Sequence, residues 1–393
     1  MAACGACGGA LFGLFFRAEE ASVTGLYFAE PTPTEPATIE LEYCKSCGFI
    51  RQVPEHVIRL NYERIVRGTS QQLPPYAADI LSGLARLGVK SDDFILEVGA
   101  NDGTFLKELR AQGYRNLLGV EPSRQLADAA ENSGFEIIDD YFDERLARDI
   151  RKQSGGARAV ICRHTLEHVP DIGGFTKAIA AVLAPDGVAL IEVPDADWLV
   201  TNLFAHEIWD EHISYFRPRS LAALLGNSGL TPVCLERMRL RDTRNLVCWS
   251  VLASANAARP CPTGDEAGFE TLDGFQARWD SFSERLRAVV LASPQPVIAI
   301  GAAHPQLNFL NFSGLGAAVD VLVDDDDAKA GHFAPLAKPV PIRTTSEILA
   351  TIRWGTLLRT GFPYPAWEER IESSLGAHNI RSIKPYDIIP LRT

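Results

Sequence analysis

Residues 206–216, "HEIWDEHISYF", gather His206, Glu207, Asp210, Glu211 and His212 among Trp209, Tyr215 and Phe216. An imidazole in such company can move a proton at neutral pH, and a neighbouring carboxylate can orient it or bind a hydroxyl. The bland alternative is a polar rim at the end of a strand. A second group of reactive residues stands at the start of the chain. "CGAC" and "CKSC" place Cys4, Cys7, Cys44 and Cys47 in two C-x-x-C pairs, the second followed by Gly48. Two such pairs can close a tetrahedral S₄ shell on zinc, and with four sulfur ligands no position stays open for chemistry. The segment between them is short, alternating and broken by prolines, so a bound metal would supply its folding energy. Disulfides are the competing reading, disfavoured in a reducing compartment. The other four cysteines, Cys162, Cys234, Cys248 and Cys261, are scattered singly and read as inert.

The elements around residues 206–216 decide between a rim and a site. "DDFILEVGANDGTFLKEL", residues 92–109, reads as strand, glycine turn and helix. A dinucleotide fingerprint needs G-x-G-x-x-G, and it fails here because Asn101 and Thr104 stand at its third and sixth positions. Glu97-x-Gly99-x-x-x-Gly103 is instead similar to the first motif of class I methyltransferases. Gly99 would let backbone approach a cofactor, and an acidic Glu97 suits a cationic amino acid moiety better than a pyrophosphate. "NLLGVEPS" puts Glu121 at the end of the next strand, where a carboxylate can accept from ribose hydroxyls. "FEIIDDYF" places Asp139 and Asp140 where an adenine would lie. "ARAVICRHTLEHVPD" and "LAPDGVALIEVPD" supply two more strands, and "TPVCLERMRL" with "NLVCWSVLAS" a terminal hairpin. S-adenosylmethionine is the expected cofactor. Ligands of such open sheets lie beyond the carboxyl ends of the strands, so residues 206–216 fall at the edge that should hold the acceptor. His168, in "LEHVPD", reads first as a residue that holds its loop.

At 393 residues the chain is too long for one ordinary core. The expected architecture is α/β in three parts: a zinc-binding domain over 1–72, a Rossmann-like methyltransferase domain over 73–261, and a second α/β unit over 262–393 that cradles the substrate. The last opens on a helical connector, 262–295, followed by the strand–turn–helix pattern "PVIAIGAAHPQLNFLNF". Its acids from Asp324 read as a solvated turn. A net charge of −12 without a basic cluster disfavours nucleic acid. No run of about 18 apolar residues suggests a membrane span. The absence of a basic leader suggests a cytoplasmic protein.

Taken in order, "CGAC", "CKSCGFI", "LEVGANDGTFL", "GVEPS", "LEHVPD", "LAPDGVALIEVPD", "DEHISYF" and "VDVLVDDDDAKAGHF" resemble the bacterial sugar C-methyltransferases over essentially the whole chain. That resemblance implies a nucleotide-linked keto-deoxysugar as acceptor, an enolate intermediate, His212 as base and Glu211 beside it. It also makes Tyr62, in "NYERIVRGTS", a secondary candidate and Tyr76 a weaker one. Two departures stand out. Trp209 occupies the position of the family's tyrosine, and the turn "GAAHPQLN" lacks the lysine that would suit a diphosphate. They keep open O- or N-methylation of another small metabolite. A non-catalytic zinc-dependent interaction protein is the remaining alternative; the oligomeric state is not legible.

Overall fold

Alternating apolar residues build the first sheet. β1 (Phe12–Ala21) and β2 (Ala37–Cys44) pair antiparallel, and β3 (Ile50–Gln52) adds to β2. Ile39, Leu41 and Tyr43 of β2 are buried, as period-two alternation requires. A register shift between Leu14 and Phe16 breaks that alternation in β1, and both Phe15 and Phe16 enter the core. These features come from a computed structural model, which describes residues 3–21, 26–33, 37–53, 75–240, 243–254, 264–360, 365–375 and 379–388.

The central sheet holds β4 (Ile95–Val98), β5 (Leu117–Val120), β6 (Glu136–Ile138), β7 (Ala157–Arg163) and β8 (Leu183–Pro194), all parallel. The next strand, β9 (Ser214–Tyr215), leaves this sheet and pairs with β3 of the first one. The expected hairpin follows as β10 (Leu230–Leu240) and β11 (Thr243–Leu252), with β11 antiparallel on β8. Across the sheet the order is β10-β11-β8-β7-β4-β5-β6. Strand order reverses at β4, flanked by β5 on one side and β7 on the other. A crevice opens at such a reversal, beyond the carboxyl ends of the strands. Every residue of β4 is buried, the pattern of a strand covered on both faces.

A third sheet contains β12 (Val297–Ile300), β13 (Val321–Val323), β14 (Phe333–Pro335), β15 (Pro339–Arg343), β16 (Trp354–Leu358) and β17 (Asn379–Ile383). Its order is β14-β15-β13-β12-β16-β17, parallel except for β14. The connector contains the helix Phe275–Leu291. Both expected domain boundaries, near 72 and 261, fall outside the described residues. The three units interlock where they are described. Phe15 stacks on Phe275 at 4.4 Å, and Phe16, Trp279 and Phe309 share one core with β12 and β15. A bridge between Phe28 and Phe333 joins the first segment to the last sheet.

Candidate active site

A cavity of about 1150 Å³ opens at the carboxyl ends of β4, β5, β7 and β8. At one end the chain leaves β4 through Gly99–Gly103. Gly99, Asn101 and Gly103 take φ of 76°, 52° and 75°, the left-handed region that glycine and asparagine tolerate best. A Cβ on Gly99 would also sit 2.1 Å from Thr165 Oγ1, so both backbone and space demand glycine. Glu121, just past β5, accepts from Asn101 N–H and Ser123 N–H, both at 2.9 Å. Those bonds fix the carboxylate, whose two oxygens together can accept about four. Glu97 is buried in the cavity wall, and its Oε2 has no hydrogen-bond partner. Burial pushes its acid up to about 8, against the pull of Arg163. An orphaned carboxyl oxygen beside a glycine turn and a fixed carboxylate fits a ligand carrying an ammonium group and a ribose. These are the features expected of an S-adenosylmethionine site.

Two loops meet in the same cavity wall. The turn Leu166–His168 follows β7, and residues 203–213 lead into β9. Ile213 N–H donates to Glu167 O at 2.8 Å, and His168 Nδ1 lies 2.9 Å from Glu211 O. A carbonyl only accepts, so Nδ1 carries the proton and Nε2 is the basic nitrogen of His168. The rings of His168 and His212 meet edge to face at 4.8 Å. Trp209 stacks on His212 at 5.4 Å and 14°, and also contacts His304 at 4.8 Å. The Trp209 N–H donates to Tyr215 Oη (3.0 Å), whose hydroxyl donates to Trp209 O (3.1 Å). Glu167 is buried with neither carboxylate oxygen hydrogen-bonded, and His164 Nδ1 stands 3.4 Å from Oε1. Glu167, His168 and His212 bring their ligating atoms within 4.8 Å of one another, all in the cavity wall. Glu207 lines the same wall, and burial pushes its acid up to about 7.

Behind the wall, Glu192 of β8 receives Tyr76 Oη and Arg163 Nε at 2.5 Å, Asn245 Nδ2 at 3.0 Å and His164 Nε2 at 3.2 Å. Burial opposes a charge on Glu192, yet His164, Arg163 and Tyr76 hold its carboxyl below the usual range. Burial likewise opposes a charge on His164, but Glu192 and Glu167 raise it to about 10. This network is not legible along the chain, because its members lie on four separate segments. Tyr76 belongs to it and is not among the cavity-lining residues.

The structure brings Glu97, Gly99, Asn101, Glu121, Trp209, Glu211 and His212 to one cavity. Gly103 stands behind the turn, packed close to Ala130 and Phe135. Asp139 and Asp140 depart from expectation. β6 ends at Ile138, and the two acids turn outward to Arg124 (3.0 Å) and Arg145 (2.9 Å) while Tyr141 and Phe142 line the cavity. Tyr62 lies outside the described residues. His206 is wholly buried against Tyr386, Nδ1 to Oη 3.1 Å, and burial lowers its pKa to about 3. His168 does hold its loop, as its plainest reading said, and it also faces His212.

The four N-terminal thiols converge with Cys4 Sγ–Cys47 Sγ at 3.7 Å and Cys7 Sγ–Cys44 Sγ at 3.6 Å. Both distances exceed a disulfide bond of about 2.05 Å. They match the roughly 3.8 Å edge of a tetrahedron with metal–sulfur bonds of about 2.3 Å. The cluster suits a closed zinc site.

Residues 71–235 match a family model described as "Methyltransferase domain". The chain is 29% identical over 225 residues to C-methyltransferase NovU of Streptomyces niveus, covering 56% of this chain and 53% of that protein. It thus spans about half the length of that relative. It is 26% identical over 179 residues to a ubiquinone biosynthesis O-methyltransferase of Ralstonia nicotianae, covering 42% of this chain and 73% of the other. Among solved structures, the CcbJ methyltransferase of Streptomyces caelestis aligns with 49% of this chain and 95% of its own, at a TM-score of 0.37 and 16% identity.

Proposed function

We propose that this chain is an S-adenosylmethionine-dependent methyltransferase of the sugar C-methyltransferase kind and methylates the carbon beside a carbonyl in a nucleotide-linked keto-deoxysugar. The observation that carries the reading is His212. Its ring is held between Trp209 and His168 in the wall of the cavity that also contains Glu97 and Glu121. S-adenosylmethionine, when bound, supplies an electrophilic methyl group. Glu121 and the Gly99–Gly103 turn would hold its ribose, and Glu97 its ammonium group. His212 removes the proton beside the carbonyl, leaving an enolate whose carbon is the nucleophile. Glu211, buried in the same wall, would bind an acceptor hydroxyl. A volume of about 1150 Å³ exceeds the usual range for one small ligand, roughly 300–1,000 Å³, and suits a cofactor with an acceptor. Zinc on Cys4, Cys7, Cys44 and Cys47 would be structural.

One observation favours O- or N-methylation of a smaller acceptor. Where a lysine would serve a diphosphate, the turn offers His304, which burial holds down to about 4 despite Asp210 beside it. That imidazole is neutral at pH 7 and engaged by Asn308 at 2.9 Å. Labelled methyl transfer into a panel of nucleotide-linked keto sugars and unrelated small metabolites separates the readings. Label on a sugar carbon supports the first; label only on oxygen or nitrogen replaces it with the second.

Glu121→Ala should weaken S-adenosylmethionine binding by at least about tenfold by calorimetry. Hydrogen bonds to a charged acceptor are worth roughly 1.5–3 kcal/mol each, and about 1.4 kcal/mol is tenfold. The substitution also removes the acceptor of the Asn101 N–H, in the turn that approaches the cofactor, and of the Ser123 N–H. An unchanged dissociation constant would place the ribose elsewhere.

A further inference from the structure

One residue of the first sheet binds the loop that carries His212 at several points of its backbone. Gln52, at the end of β3, is 1% exposed. Its Nε2 lies 3.2 Å from Trp209 O, 2.9 Å from Asp210 O and 2.9 Å from His212 O. Its main-chain N–H donates to Ile213 O at 2.9 Å. One residue therefore serves four carbonyls of residues 209–213, two amide hydrogens being shared among three of them. Burying a carbonyl without a donor is costly, and of these four Trp209 O also accepts from the Tyr215 hydroxyl at 3.1 Å and the His212 N–H at 3.2 Å. Immediately beyond, β3 pairs with β9 at Ile50–Tyr215 and Arg51–Ser214, and the Phe49 ring meets Phe216 at 5.4 Å.

We infer that Gln52 is a positioning residue for methyl transfer: it sets the backbone of residues 209–213 and so the place of the His212 ring in the cavity. Gln52 also lines the cavity wall, and its positioning role acts through these bonds to the backbone of residues 209–213. β3 follows directly on the Cys44–Cys47 turn, where Cys44 N–H bonds Phe49 O and Gly48 N–H bonds Cys44 O. The thiol cluster thus reaches the base through one short strand. This inference rests on reading His212 as the base, and His212→Asn assayed in parallel keeps the two apart.

The test uses the full chain. Gln52→Met keeps the length and apolar stem of the side chain but removes its donors. It should leave S-adenosylmethionine affinity within about twofold while kcat falls by up to ~10²-fold, the cost of a displaced catalytic group. The ring signals of His212, assigned by NMR against His212→Asn, should shift in titration midpoint or tautomer. Gln52→Glu gives a second readout. Its ionised carboxylate repels the three carbonyls, whereas its protonated form can donate to one, so its rate relative to wild type should rise as pH falls. A folded Gln52→Met with wild-type kcat and unmoved His212 signals overturns the inference, as does a Gln52→Glu ratio flat with pH. Altered His212 signals with unchanged kcat in both Gln52→Met and His212→Asn would uphold the positioning and sink the base. If neither variant folds, hydrogen exchange on the wild type decides. Amides of 209–213 should open with those of β3, and separate, faster opening overturns the inference.

Discussion

His212→Asn should bind S-adenosylmethionine as tightly as wild type and transfer the methyl group about 10²–10⁴ times more slowly, the usual contribution of a positioned base. Cofactor affinity should hold because the described hydrogen bonds of Glu121 run to Asn101 and Ser123, not to residues 211–213. His206→Asn is the matched control. It lies in the same segment, but its ring packs against Tyr386 and Phe309 outside the cavity wall. The carbon-acid reading makes a sharper demand. In deuterated water, with a cofactor analogue that cannot donate its methyl, wild type should exchange the proton beside the carbonyl and His212→Asn should not. Exchange by neither protein, alongside rapid methylation of oxygen or nitrogen, discards the enolate. Full transfer by His212→Asn returns the cluster to a polar rim.

Cys44→Ser should lose both the metal and most of the transfer rate. The wild type should contain one zinc per chain, since four thiols converge on one point. Structural zinc in small peptides contributes roughly 10–16 kcal/mol of apparent binding free energy at pH 7, and that energy is folding energy. Cys44 ends β2 and begins the turn that delivers β3, so its loss loosens the strand on which β9 pairs. The same protein should still bind S-adenosylmethionine, whose proposed ligands Glu97, Glu121 and the Gly99–Gly103 turn lie on or directly after strands β4 and β5 of the central sheet. Metal analysis, calorimetry and transfer assays on one preparation check all three. A metal-free, fully reduced chain with an ordered first sheet and normal turnover would refute the zinc assignment.

Much of the site was legible because its signals are local. Gly99 and Gly103 announce a turn that needs positive φ, Glu121 follows a strand by one residue, and two C-x-x-C pairs point to the four thiols that the fold brings together. The class of the central sheet followed from strand–turn–helix repetition, and the closing hairpin from its own alternation. What stayed hidden depends on contacts across long stretches of chain. Glu167 and His168 sit in a loop 43 residues from Glu211, and only folding shows that the His168 ring holds the Glu211 carbonyl. Glu192 reads as one polar residue in a buried strand, whereas Tyr76, Arg163, His164 and Asn245 make it the centre of a charge network. For Asp139 and Asp140 the preceding strand marks where the cavity lies, but only folding shows their carboxylates pairing with Arg124 and Arg145.

The pairing of β3 with β9 also says something about the order in which this molecule assembles. Gln52 and its partner His212 are 160 residues apart in sequence. Contacts at such separation close late, after the loop between them has already lost its freedom. On a ribosome the first sheet emerges long before its fourth strand exists, so the open edge of β3 must wait without a mate. A waiting edge invites pairing with another chain. Two features of β3 discourage it: the strand is three residues long, and Arg51 sits at its centre, tied to Glu42 at 2.6 Å. Competence for catalysis would then be acquired as a last step in biogenesis, and a nascent chain stalled before residue 214 would carry a nearly complete cofactor fold with no working base.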